Sequence, residues 1–177
     1  MTAANVAGFS RILLAGVAAG LLIHKGQSAY GIVAAVTVAA IVTDILDGVL
    51  ARRYGTLSSF GAFLDVTADK IFVAPLLFMI ADGRPLRLWA AFLITSRDFV
   101  VMGLRSYVAT RGQVLAARRL GKAKSILLYP ATLLLLLRVP SGEILLVLAT
   151  ALALVSLGDY LAQARRFLHD DLHSRRD

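Results

Sequence analysis

The chain has 177 residues, 58% of them hydrophobic and 17% charged, with no cysteine, three histidines and a net charge of +8. Soluble domains run at roughly 45–50% apolar and about 25% charged, so this composition excludes an ordinary soluble fold and points to a polytopic helical membrane protein. Without cysteine there is no disulfide, thiolate metal site or cysteine nucleophile, and His24, His169 and His173 all lie near segment ends, so a metal centre here would rest on oxygen ligands.

The first predicted element covers residues 8–23. Arg11 interrupts it, and it lacks the basic, then apolar, then small order of a cleaved signal, so it is expected to stay as a span. Five further apolar stretches, each near the ~20 residues a spanning helix needs, follow at 29–50, 59–81, 86–109, 119–138 and 141–163. The connections, His24–Gln27, Ala51–Ser58, Asp82–Pro85, Arg111–Arg118 and a turn at Pro140, leave no room for a soluble domain. The expectation is an all-α integral membrane protein of six transmembrane helices, one domain over 1–177 with a basic tail at 165–177.

Arg52, Arg53, Arg111, Arg118, Arg119, Lys122, Lys124, Arg165, Arg166, Arg175 and Arg176 fall on one side, against Lys25, Arg84, Arg87 and Arg138 on the other. The positive-inside rule then makes both termini cytoplasmic. Basic residues scattered between apolar runs argue against nucleic acid and for anionic lipid or a phosphorylated substrate.

Carboxylates are costly inside spanning helices and by default mark a site or a pathway. Four of them fall in one window, Asp44 with Asp47 and Asp65 with Asp69, at spacings of three and four that give each pair a common helix face. Such a cluster needs a cation to relieve its repulsion, and oxygen ligation suits Mg²⁺, Mn²⁺ or Ca²⁺. Gly48, Ala51 and Gly61 leave space for a ligand beside the acids, and Arg52, one turn past Gly48, is placed to hold a phosphate bidentately. A phosphate-handling metal site is favoured, with a proton or cation pathway and simple helix packing as the alternatives.

At these positions the chain resembles the CDP-alcohol phosphotransferase family, whose signature D-x2-D-G-x2-A-R, eight residues here, then G-x3-D-x3-D is matched from Asp44 to Asp69. The resemblance implies that Asp44, Asp47, Asp65 and Asp69 hold Mg²⁺ or Mn²⁺ against the diphosphate of a CDP-linked donor, with Asp69 also the general base. It implies that Asp44, Gly48, Ala51, Arg52 and Gly61 bind the donor, and that an acceptor hydroxyl displaces CMP. Phe63-Leu64-Asp65 and Ala68-Asp69-Lys70 resemble a form shared by the branches that make phosphatidylglycerophosphate and cardiolipin, and Arg97-Asp98, Gly103-Leu104-Arg105, Ala109, Gly112 and Gly121-Lys122-Ala123-Lys124-Ser125 resemble the first of these. The implied substrates are CDP-diacylglycerol and glycerol 3-phosphate, with Arg105, Lys122 and Lys124 at the acceptor phosphate. Cardiolipin synthesis and an inositol-phosphate acceptor are the alternatives within the family, and an ion or proton transporter is the alternative outside it. The resemblance also implies a homodimer in contact with membrane lipid, in a prokaryotic inner (plasma) membrane with a cytoplasm-facing active site. Val66 replaces a usual proline, and Gly8 stands where threonine is common, between Asn5 and Arg11.

Three further expectations concern single residues. Arg97 and Asp98 lie mid-segment, where an unpaired charge costs ~2.5–3.5 kcal/mol. Being adjacent on a helix they are expected not to pair with each other, but with another helix or water. Tyr129, beside Pro130, is expected to pack. Asp82 and Glu143 lie at the opposite surface and invite no function.

Overall fold

A computed structural model describes residues 3–54, 59–110, 112 and 119–174. Among them there is no strand. They form α1 (Ala3–Lys25), a short 3-10 helix (Gly26–Ala29), α2 (Tyr30–Tyr54), α3 (Ser59–Met79), α4 (Pro85–Ala109), α5 (Arg119–Leu136) and α6 (Ser141–Ser174). Each predicted element is a helix, with ends displaced by a few residues. The exception is α6, which continues past residue 163 into the stretch expected to be a tail. The reason is local: Leu161, Ala162, Gln163, Ala164, Arg165 and Arg166 are strong helix formers with no glycine or proline among them.

Two stretches, Gly8–Thr43 and Ser141–Arg165, are long and apolar enough to cross a membrane by length and composition. The remaining helices carry more charge: Asp65, Asp69 and Lys70 on α3; Arg87, Arg97, Asp98 and Arg105 on α4; Arg119, Lys122 and Lys124 on α5. Large apolar side chains nevertheless cover the outside, among them Leu13, Ile32, Phe92, Ile126 and Leu148.

The helices close into a ring. α1 packs on α2 and α3, α4 lies between α3 and α6, and α5 sits against α6 and touches α2. The centre is lined with small residues, including Ala18, Ala29, Ala68, Ala91, Ala131, Ala149 and Ala153. Small side chains let helix backbones approach closely where apolar burial alone gives little drive. At Gly142 a Cβ would lie 2.9 Å from the Leu135 backbone nitrogen, so the α5–α6 contact depends on its absence. At Gly8 a Cβ would fall 2.6 Å from Leu64 Cγ on α3. The departure from threonine at that position is therefore matched by a leucine that fills the space.

The up-and-down order places all three turns α1–α2, α3–α4 and α5–α6 at one end. There α5 stops in a Schellman arrangement: Val139 N–H donates to Leu134 O at 2.8 Å, and Arg138 N–H donates to Leu135 O at 3.0 Å. Arg138 holds the left-handed φ of 58° that glycine usually supplies, and Asp82 has φ of 53° in the α3–α4 turn. Each such residue costs on the order of 1–3 kcal/mol. Gln27 joins the two, donating its amide to Asp82 and accepting from Arg138 at 2.7 Å. Arg84 and Arg87 meet Glu143 at 2.7 and 2.6 Å. The three turns are thus laced together by side chains at the end where Asp82 and Glu143 invited no role.

Candidate functional site

At the other end of the ring, all six helices contribute to a cavity of about 730 Å³. Arg11 comes from α1, Ile45 from α2, Asp69 and Lys70 from α3, Arg97, Asp98 and Arg105 from α4, Lys122, Lys124 and Tyr129 from α5, and Tyr160 from α6. Arg11 is buried here, which explains how α1 runs unbroken through the charge that interrupts its apolar run.

Asp69 stands at the wall of this cavity. Tyr129 O–H donates to its Oδ1, and Lys70 Nζ donates to its Oδ2 at 3.0 Å. Tyr129, expected only to pack, therefore touches the carboxylate that carries the base role in the expected chemistry. Both contacts are donated to the carboxylate, so they orient it while each oxygen keeps further lone-pair capacity.

Lys70 also meets Asp98 Oδ2 at 3.0 Å, and this ties α3 to the basic half of the cavity. Asp98 is the hub there. Lys124 Nζ donates to both of its oxygens, at 2.9 and 2.8 Å, and Arg97 Nη1 donates to Oδ1 at 2.7 Å. The expectation that Arg97 and Asp98 do not pair is corrected, because the long guanidinium arm folds back along the helix to reach its neighbour. Each also takes partners from another helix, as expected. Arg97 Nη2 donates to Ser156 Oγ at 2.5 Å, and its guanidinium lies 5.4 Å from the Tyr160 ring centre. Arg105 approaches the same ring at 6.0 Å. Gly121 lies beside this crossing, where a Cβ would meet Arg97 at 3.5 Å and Ser156 at 3.8 Å in ordinary van der Waals contact.

The described lining is strongly cationic, with Arg11, Lys70, Arg97, Arg105, Lys122 and Lys124 against Asp69 and Asp98. Arg105 is half-buried, Lys122 is exposed and Lys124 is buried, so of the three expected acceptor-phosphate residues two keep their cations accessible and one is held by Asp98. Asp44 and Asp47 sit on α2 and Asp65 on α3 by backbone position. The side chains of these three, and of Gly48, Ala51, Arg52 and Gly61, lie outside the described residues, as does most of the connection 111–118. On the outer flank, an apolar crevice between α3 and α4, lined by Val73, Leu77, Ile94, Phe99 and Met102, reaches Lys70 and Asp98.

A family model described as CDP-alcohol phosphatidyltransferase matches residues 1–155. The chain belongs to this family. Relatives among curated proteins agree. A CDP-diacylglycerol–glycerol-3-phosphate 3-phosphatidyltransferase from Bacillus subtilis is 41% identical over 86 residues, 49% of this chain and 45% of that protein. One of the same name from Rickettsia bellii is 30% identical over 139 residues, 73% of this chain and 77% of its own. A probable phosphatidylglycerophosphate synthase from Mycobacterium tuberculosis H37Rv is 33% identical over 171 residues, covering 92% of this chain and 81% of that one.

Membership puts the hub in context. Lys70, Ser156 and Tyr160 had no role assigned from sequence. Lys70 sits inside the Ala68-Asp69-Lys70 triplet, so a signal was present, but Ser156 and Tyr160 lie in an apolar helix with no pattern around them.

Proposed function

We propose that the protein transfers the phosphatidyl group of CDP-diacylglycerol to glycerol 3-phosphate, giving phosphatidylglycerophosphate and CMP. The observation that carries this reading is one cavity in which Asp69 stands beside a cationic wall running through Lys70 and Arg97 to Arg105. A negatively charged donor and a negatively charged acceptor both need such a wall, and a base must stand between them.

Asp69 takes the proton of the acceptor hydroxyl. The acceptor oxygen bonds to the phosphorus that carries the lipid, and the bond from that phosphorus to the CMP oxygen breaks, its electron pair leaving with CMP. Tyr129 and Lys70 hold Asp69 in place for this. Arg105 and Lys122 grip the acceptor phosphate, and Lys124 shapes that pocket from behind through Asp98. Arg52, Gly48, Ala51 and Gly61 hold the donor head.

The donor set suits a divalent metal: an oriented carboxylate at Asp69 with spare lone pairs, and Asp44, Asp47 and Asp65 on the same two helices, oxygen donors throughout. Mg²⁺ or Mn²⁺ bound by these four would neutralise the diphosphate and stabilise departing CMP.

The apolar exterior and the ring order support six spans in one membrane domain covering 1–177, with both termini and the cavity facing the cytoplasm of a prokaryotic inner membrane. The crevice between α3 and α4 lets an acyl chain lie in lipid while its phosphate reaches the cavity. The working unit is a homodimer.

The test uses purified protein, CDP-diacylglycerol, Mg²⁺ or Mn²⁺ and a panel of acceptors, following CMP. Release with glycerol 3-phosphate is expected. Release only with phosphatidylglycerol or inositol phosphate would overturn the acceptor. Ion flux across sealed liposomes without CDP-lipid turnover would overturn the reaction class.

A further inference from the structure

The end of the ring opposite Asp69 holds a second polar cavity, of about 270 Å³, where the three turns meet. Its charged lining is Arg84, Arg87, Arg138, Asp82 and Glu143. The two carboxylates do not balance the three guanidiniums evenly. Glu143 uses one oxygen, Oε1, for both Arg84 and Arg87. Asp82 accepts from the neutral amide of Gln27, which stands between it and Arg138.

Arg138 therefore has no carboxylate within ion-pair reach among the described residues. It makes one hydrogen bond, to Gln27 Oε1 at 2.7 Å, and its guanidinium rests 5.6 Å from the Tyr30 ring centre. Arg84 makes one contact to Glu143 while its side chain is 60% exposed. Two planar forks thus face the same opening with donors to spare. The position of Arg138 points the same way. Its left-handed φ of 58° suits glycine, so the backbone is strained to place a cation at this spot. The cavity has room for about nine waters at ~30 Å³ each, enough for a phosphate with a short polyol. Trp89, 64% exposed on the first turns of α4, stands on the outer surface near this end, where an indole marks the headgroup level of a bilayer.

We infer that this second cavity binds a phosphate group through Arg84 and Arg138, on the face of the protein away from the catalytic cavity. The chemistry is that of a phosphodiester headgroup or of free phosphate, and the former rests on the membrane-embedded reading proposed above. Neither arginine touches the catalytic cavity, so the site stands apart from the reaction.

The experiment compares the detergent-purified full chain with Arg138→Gly and Arg84→Gln. Glycine keeps the left-handed turn while removing the guanidinium, and Arg84 is exposed enough to change without disturbing the core. Each protein is offered phosphatidylglycerol or diacylglycerol, which has the same chains without phosphate, and retained lipid is read by native mass spectrometry. The wild type is expected to retain phosphatidylglycerol about 10-fold better than either variant, the scale of one lost charged hydrogen bond. Diacylglycerol should show no difference between the proteins. Displacement of the retained lipid by millimolar inorganic phosphate, from wild type only, would support the site and assign it to the phosphate itself. Equal retention of phosphatidylglycerol by all three would overturn the inference. CMP release is measured on the same samples and is expected to be unchanged, so a wild type without CMP release would sink the proposed reaction while leaving the lipid comparison readable.

Discussion

The ε-ammonium of Lys124 on α5 spans both carboxylate oxygens of Asp98 on α4, at 2.9 and 2.8 Å, with 2% and 8% of the two side chains exposed. A buried pair of this kind adds little over an apolar pair, but breaking it from one side strands a charge. Asp98 also receives Arg97 and Lys70, so removing it leaves Lys124 and Arg97 without a carboxylate, Lys70 keeping Asp69, whereas removing Lys124 leaves Asp98 still paired.

Asp98→Asn is therefore expected to destabilise the protein by about 3–5 kcal/mol, and Lys124→Met by clearly less. The double variant should recover part of the Asp98→Asn loss. Thermal unfolding of all three in one detergent provides the cycle. Additive losses would show that Lys124 and Asp98 do not act as a pair.

Asp69→Asn keeps the size of the side chain but removes the proton acceptor, so CMP release should be abolished while binding of the CDP-lipid partly survives. Tyr129→Phe removes the hydroxyl that donates to Oδ1 and is expected to lower kcat about 10-fold with the donor KM little changed. Normal turnover by the Asn variant would take Asp69 out of the base role.

Arg105→Ala removes a cation from the cavity wall. The KM for glycerol 3-phosphate should rise about 10-fold to 100-fold, matching loss of a charged hydrogen bond of ~1.5–3 kcal/mol, while the KM for CDP-diacylglycerol stays close to wild type. Steady-state kinetics with each substrate varied in turn checks this. A rise confined to the donor would move Arg105 to the other half of the site.

Gly142→Ala places a methyl 2.9 Å from the Leu135 nitrogen and 3.1 Å from Leu134 Cβ. The near atom is backbone, so α6 must shift against α5. A loss of about 1–3 kcal/mol is expected, read as a lower melting temperature. Gly158→Ala, where a Cβ meets nothing within 4 Å, is the control and should be neutral or slightly stabilising.

Much of this protein is set by local chemistry that a sequence exposes directly. Apolar runs broken by Gly, Pro and charge define six helices, and spacings of three and four put Asp44 with Asp47 and Asp65 with Asp69 whatever the packing. The tertiary structure decided the partners. Lys70 and Asp98 are 28 positions apart in the chain, and Tyr129 and Asp69 are 60 apart, and no periodicity predicts which helix faces which. The ring order brings α3, α4 and α5 around one cavity, and only then does Asp98 become a hub and Tyr129 a partner of Asp69. Even the adjacent Arg97 and Asp98 pair with each other, because helix periodicity fixes the direction of Cβ and not the reach of a flexible guanidinium. Helix periodicity acts over a turn or two, whereas burying a charge is settled by whatever opposite charge the fold brings within ~4 Å.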